Sequence, residues 1–241
     1  MSGFTSFGLG TSSPVLATTK SRWKPEKGNY RVSFVGITGI DNKNPSFESN
    51  SQVLLEHAKR LYMQGVGYFI DHGPEYQAIA GGGKGGKVAI ATTLAFWPVN
   101  GQGKVDMSRV QAGEYEVKVW VMSRDKYDQL VSIHQEYPLT QHDILINVTD
   151  AQFHKMSFSP RRDSVFKLLS ENDKDTFKKV VDIAHAVHSN IRNEIAQDLT
   201  IDQIRQKLSG DVGSPVSSMG GMSMGGGLDA DDVLDSVLDD D

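Results

Sequence analysis

Cysteine is absent from the 241 residues, which excludes a disulfide-built fold and any cysteine-ligated zinc site. No apolar run approaches the roughly 18 to 20 residues of a membrane span. The opening MSGFTSFGLG has neither the basic nor the apolar region of a secretory signal. These absences lead to the expectation of an intracellular, soluble protein with no membrane partner. Basic residues are missing from one stretch: positions 211–241 hold eight Asp and no Lys or Arg, leaving 25 basic against 22 acidic residues in the first 210. A weakly basic body therefore carries an acidic end, which can contact partners or compete for a basic groove of the same protein.

Residues 1–20 are rich in Gly, Ser and Thr without periodicity, and read as a flexible N-terminal arm. Positions 210–227 form a Gly/Ser/Met linker, and 228–241 (LDADDVLDSVLDDD) an acidic, disordered tail. The folded core is expected over 21–209. Short strand-like runs dominate its first two thirds: Tyr30 to Ile37, Gly67 to Asp71, Lys87 to Trp97, Tyr115 to Met122, Asp143 to Asn147 and Gln152 to Phe158, separated by Gly, Pro, Asn and Asp. Helices are expected at Ser51 to Gln64, where Leu54, Leu55, Ala58, Leu61 and Tyr62 share a face, and at Arg124 to His134. The last third is helical, from Phe177 to Ile195, followed by a helix with Thr200 as N-cap, Gln203 completing a capping box and Gly210 as stop. The outline is mainly β with α: a small Greek-key barrel of the OB type, with a helical C-terminal part.

Gly81-Gly-Gly-Lys-Gly-Gly-Lys87 satisfies the spacing of a P-loop, but Val88 stands where a magnesium-binding hydroxyl belongs, and the next residues read as a strand instead of a helix. The loop reads instead as a hairpin connection whose Lys84 and Lys87 can follow a phosphate backbone, or as a plain solvated loop. His185 and His188 lie one turn apart with no third ligand at matching spacing, and read as core-edge packing. His72 reads as a turn residue. No catalytic constellation, metal set or cofactor motif emerges, so a non-enzymatic protein is expected.

In the Tyr115 to Met122 run, alternation places Lys118 and Trp120 on one face. A lysine beside a tryptophan suits single-stranded nucleic acid, because any base can stack on an aromatic ring while the ammonium meets the phosphate. The structural alternative is a Trp120 covered by a helix. Other aromatic and basic residues occur together: Arg22-Trp23-Lys24, Tyr30-Arg31, Trp97 with Lys104, Arg124 with Lys126 and Tyr127, and Phe158 before Arg161-Arg162. The candidate nucleic-acid contacts are thus Trp23, Lys24, Arg31, Lys84, Lys87, Trp97, Lys104, Lys118, Trp120, Arg124, Lys126, Arg161 and Arg162.

The order of these features resembles the single-stranded DNA-binding (helix-destabilising) proteins of T-even-type bacteriophages. The similar elements are Arg31-Val-Ser-Phe-Val, Ile70-Asp71-His72-Gly73, Phe96-Trp97 before a Gly-containing turn, Val119-Trp120 running into Lys126-Tyr127-Asp128-Gln129-Leu130, the segment Thr200 to Gly210, and the linker with its Asp/Leu tip. The resemblance implies an OB-fold core that coats and protects single-stranded DNA in replication, recombination and repair, in the cytoplasm of an infected bacterial host. It also implies an arm for self-association along the strand. Its acidic tail, with Leu228, Asp231, Asp232, Leu234, Leu238, Asp239, Asp240 and Asp241 as the expected contacts, docks replication and recombination proteins. The family's zinc subdomain has no counterpart here, because its cysteines are missing, and the arm has only Lys20 and Arg22 as basic residues. The alternatives are a single-stranded RNA-binding OB protein, a nucleotide hydrolase using the Gly81 loop, and a virion or scaffold protein with a solubilising tail.

Overall fold

The computed structural model describes residues 21–40, 51–82, 84–100, 103–150 and 155–209. The arm 1–20, the linker 210–227, the tail 228–241 and Gln152 to His154 of one predicted strand lie outside the described residues.

Seven strands, β1 (Gly28–Phe34), β2 (Glu56–Met63), β3 (Gly67–Ile70), β4 (Lys87–Trp97), β5 (Glu116–Met122), β6 (Ile144–Asp150) and β7 (Lys155–Pro160), form one antiparallel sheet. Its order is β3-β2-β4-β1-β6-β7, with β5 on the other edge of β4. The helices are α1 (Pro74–Ile79), α2 (Met107–Gln111), α3 (Arg124–Glu136), α4 (Val165–Asn172), α5 (Lys174–His188), α6 (Ile191–Ile195) and α7 (Ile201–Ser209). The fold is therefore mixed α/β, and the sheet is not closed.

The long strand β4 organises the sheet. Of its 11 residues, Ile90 to Phe96 pair with β5 along one edge, while the other edge is shared by β2, through Lys87 to Ala91, and β1, through Leu94 to Trp97. Being central and covered on both faces, it reads as an almost unbroken apolar run. Ile90 and Leu94 face a cluster with Val32, Phe34, Trp120, Met122, Ile144 and Ile146, against which α3 packs Leu130. Ala89, Ala91 and Ala95 face the opposite way, where their small side chains let α4, α5 and α6 approach with Phe166, Phe177, Val180, Ile191 and Ile195. A smaller cluster of Leu61, Val66, Phe69 and Ile204 seats α7 on the β2–β3 hairpin. The Thr200/Gln203 capping box forms in both directions, at 2.8 and 3.3 Å.

Two expectations change. The helix expected over Ser51 to Gln64 is strand β2, because both of its edges find partners distant in sequence or across a turn: Arg60 pairs with Ile70 on one side and Lys87 on the other. The hairpin turns through Gln64-Gly65-Val66, with Gly65 at φ 84°, a conformation that glycine adopts without a Cβ penalty. The barrel expected from the strand count is an open sheet. The free edge of β5 bonds in parallel to Ser21–Trp23 (Trp23 N–H to Val119 O, 2.7 Å), and β3 bonds to Gln197 (Ile70 N–H to its carbonyl, 3.0 Å).

Candidate nucleic-acid interface

All three tryptophans lie inside. Trp23 and Trp97 are 5% exposed and Trp120 is 2% exposed, so none presents a ring face on which a base could stack. Trp120 contacts Trp23 and Phe158, each at 5.7 Å between ring centres, so neighbouring aromatics from other segments surround it. The Trp97 indole N–H donates to Ser33 Oγ at 2.7 Å.

Arg31 is likewise engaged. Its Nε donates to Asp143 Oδ2 at 2.8 Å and its Nη2 to the Asp163 carbonyl at 3.0 Å. Ser33 Oγ donates to the other Asp143 oxygen, and the Val165 N–H reaches both oxygens at 3.3 Å. Burial pushes the Asp143 carboxyl up, against the pull of Arg31 and Ser33. Three more predicted contacts are held by neighbouring carboxylates: Lys118 by Glu116 (2.8 Å), Arg124 by Asp128 (2.9 Å) and Lys126 by Asp125 (2.6 Å). Lys24 and Lys104 are exposed, in separate segments.

Lys84 and Lys87 come together with residues that sequence reasoning missed. They line a groove of about 200 Å³ with Arg60, Tyr62, Tyr68, Gln77, Gly82, Gly85 and Gly86. Tyr62 and Tyr68 are cross-strand partners in the β2–β3 hairpin, with ring centres 5.1 Å apart. The Arg60 guanidinium lies 3.8 Å from the centre of the Tyr68 ring, a cation–π stack. The groove follows from topology: β4 begins at Lys87, so Leu61 to Met63 of β2 extend past the last β2–β4 pair, and the loop passes alongside.

Asp71, at the end of β3, ties that loop down. Its carboxylate accepts from Gly86 N–H (2.7 Å), Gly73 N–H (2.9 Å) and the Gln77 amide (3.0 Å). Burial acts to raise this carboxyl, but the Gly86, Gly73 and Gln77 donors, helped by Lys59, outweigh it and hold it below its ordinary value. A Cβ on Gly86 would lie 2.8 Å from the Arg60 carbonyl and 2.9 Å from the Asp71 Cβ, and the carbonyl belongs to paired backbone that cannot swing aside. Gly86→Ala is therefore expected to strain the loop anchor by about 1–3 kcal/mol. Hydrogen exchange should detect this as faster exchange of the Gly86 and Gly73 amides, with β4 and β5 unaffected.

The loop follows α1 and leads into a strand, so it does not open a helix as a phosphate-binding P-loop must. His188 Nδ1 lies 3.1 Å from Thr93 Oγ1, and burial pushes its imidazole below the ordinary value, in keeping with a core-edge position. His72 Nε2 meets Asp198 Oδ1 at 2.8 Å. Among the described residues no group of His, Asp and Glu could hold a metal ion, and no helix is long and apolar enough to cross a membrane.

Arg161 and Arg162 are exposed just beyond β7, apart from the groove in the strand order, beside Tyr137 and His142. Of the predicted contacts, Lys84 and Lys87 thus fall into a groove with stacked Arg/Tyr side chains, and Arg161 and Arg162 into a second patch. No protein-family model, curated protein or solved structure matches this chain.

Proposed function

We propose that the protein is a sequence-independent single-stranded DNA-binding protein, which coats and protects strands exposed in phage DNA replication, recombination and repair within the host cytoplasm. The observation that carries this reading is the groove in which Tyr62, Tyr68 and Arg60 offer stacking surfaces and Lys84 and Lys87 offer phosphate partners. Stacking on tyrosine or a guanidinium plane tolerates any base, and lysine contacts to phosphate carry no sequence information. An OB-type Greek-key core is part of this reading, and the succession β5-β4-β1-β6-β7 with α3 between β5 and β6 supports it. In this reading the arm promotes self-association along the strand, and the acidic tail docks replication and recombination proteins.

Titration of a labelled dT strand at several salt concentrations, with duplex and RNA competitors, tests the proposal. Log affinity is expected to fall linearly with log salt, and Lys84→Ser and Lys87→Ser should each flatten the slope by about 0.7. Tyr62→Ala should weaken binding by about 1–3 kcal/mol. Duplex binding as tight as single-strand binding contradicts the reading, and preferential competition by RNA moves it to RNA. ATP turnover that disappears in Lys87→Ala would assign the loop to nucleotide hydrolysis.

A further inference from the structure

The arginine-bearing patch is built as carefully as the groove. Tyr137 caps the C-terminus of α3, with its N–H donating to the Ile133 carbonyl at 2.8 Å, yet the residue is 39% exposed. Five residues on, the His142 ring meets it edge-on, with ring centres 5.6 Å apart and planes at 81°. His142 Nδ1 lies 3.2 Å from the carbonyl oxygens of both Arg161 and Arg162. Carbonyls only accept, so this nitrogen carries the hydrogen and ties the imidazole to the backbone that bears the two arginines.

The backbone is held on its other side as well. Arg161 N–H donates to the Asp143 carbonyl at 2.8 Å and Asp143 N–H to the Asp163 carbonyl at 3.3 Å. The Asp143 side chain lies at 0% exposure beneath, occupied by Arg31 and Ser33. Among the described residues no carboxylate lies within salt-bridge distance of the Arg161 or Arg162 guanidinium groups, whereas Asp163 reaches toward Arg31, at 3.8 Å. Two exposed guanidinium groups and one exposed ring are thus presented from a backbone that need not be ordered when a ligand arrives, which lowers the entropic penalty of binding.

We infer that Tyr137, Arg161 and Arg162, positioned by His142, form a second single-strand subsite that takes a phosphodiester and the base beside it. Arginine suits the phosphate because its planar fork can donate two hydrogen bonds to one anion, and the tyrosine ring accepts any base. This inference rests on the single-strand reading of the groove but concerns a different place. The groove lies at the β3–β2 end of the strand order and the patch just after β7, at the other end. A strand must therefore exceed some minimum length to touch both, and its second contact is then intramolecular.

The test uses the full chain with strands of about 5 and about 16 nucleotides, chosen to bracket the site sizes of OB-type binders. Arg161→Ser/Arg162→Ser should flatten the salt slope on the long strand by about 1.4, the share of two phosphate contacts. Tyr137→Ala should weaken the long strand about tenfold, and Tyr137→Phe, which keeps the ring, should restore it. A photoreactive base in the short strand should crosslink to Tyr137 as well as to the groove tyrosines. All three side chains are exposed, so a thermal melt matching the parent verifies that the variants are folded. Parental affinity and slope in these variants, while Lys84→Ser and Lys87→Ser lose binding, would overturn the second subsite and leave the groove reading standing. If the groove variants also bind like the parent, the single-strand reading falls and the subsite falls with it.

Discussion

Asp143→Ala is expected to destabilise the protein by about 3–5 kcal/mol, because it removes the buried carboxylate on Arg31 and leaves only that of Asp163, exposed and 3.8 Å away. At roughly 2–4 °C per kcal/mol for a domain of this size, the midpoint of thermal unfolding should fall by about 6–20 °C. The Arg31 side chain is 10% exposed and that of Asp143 0% exposed, so water cannot replace the lost partner well. The loss extends beyond one ion pair, since the same carboxylate takes the Ser33 hydroxyl, which in turn takes the Trp97 indole N–H. It also accepts from the Val165 N–H at the start of α4. Removing both charges should be milder than removing one, because two apolar side chains of matched volume need no counter-ion. A double-mutant cycle of Asp143→Leu and Arg31→Met in chemical denaturation measures this. Additive losses in the double variant would show that the two side chains act independently.

Trp120→Ala is the other large effect, with about 3–5 kcal/mol of stability expected to be lost. Trp120 fills the space among Trp23, Phe158 and the apolar residues of β1, β4 and β6. Its removal opens a cavity that β5 cannot close without leaving its register with β4. The fraction that remains folded should bind a single strand with the parent's affinity, and the parent's tryptophan fluorescence should respond little to a base stacked in the groove. Stability by urea titration and strand affinity by anisotropy, measured on one preparation, separate the two roles. A stable Trp120→Ala with weakened strand binding would return Trp120 to the interface.

Trp120 also shows where local pattern stops. The alternation in β5 correctly places Lys118, Trp120 and Met122 on one side of the strand, and period two requires that wherever the strand lies. Which side faces water depends on β1, β6, β7 and the Trp23 segment, brought there by pairings tens of residues away. The same distinction explains β2. Leu54, Leu55, Ala58, Leu61 and Tyr62 fit a helical stripe, but the chain there finds hydrogen-bonding edges on both flanks, and pairing outweighs a weak local preference. With β2 read as a helix, Tyr62 and Tyr68 could not be seen as cross-strand neighbours or Arg60 as stacked on one of them. The hairpin signal at Gln64-Gly65-Val66, between two runs containing tyrosine, is the cue that could have revealed the groove.

The sequence by itself determined what local chemistry decides. It marked the Gly-rich loop with Lys84 and Lys87, strands β4 and β5, helix α3, the helical last third with its Thr200 capping box, and the contrast between a weakly basic body and an acidic end. These depend on neighbours a few residues apart, through turn geometry, capping and periodicity. Only the tertiary structure decided that the tryptophans are core, that Arg31 belongs to Asp143, that the sheet stays open, and that two tyrosines and an arginine join the loop lysines. Each of these depends on the register of strands distant in sequence, and one step of register exchanges every side chain between core and surface.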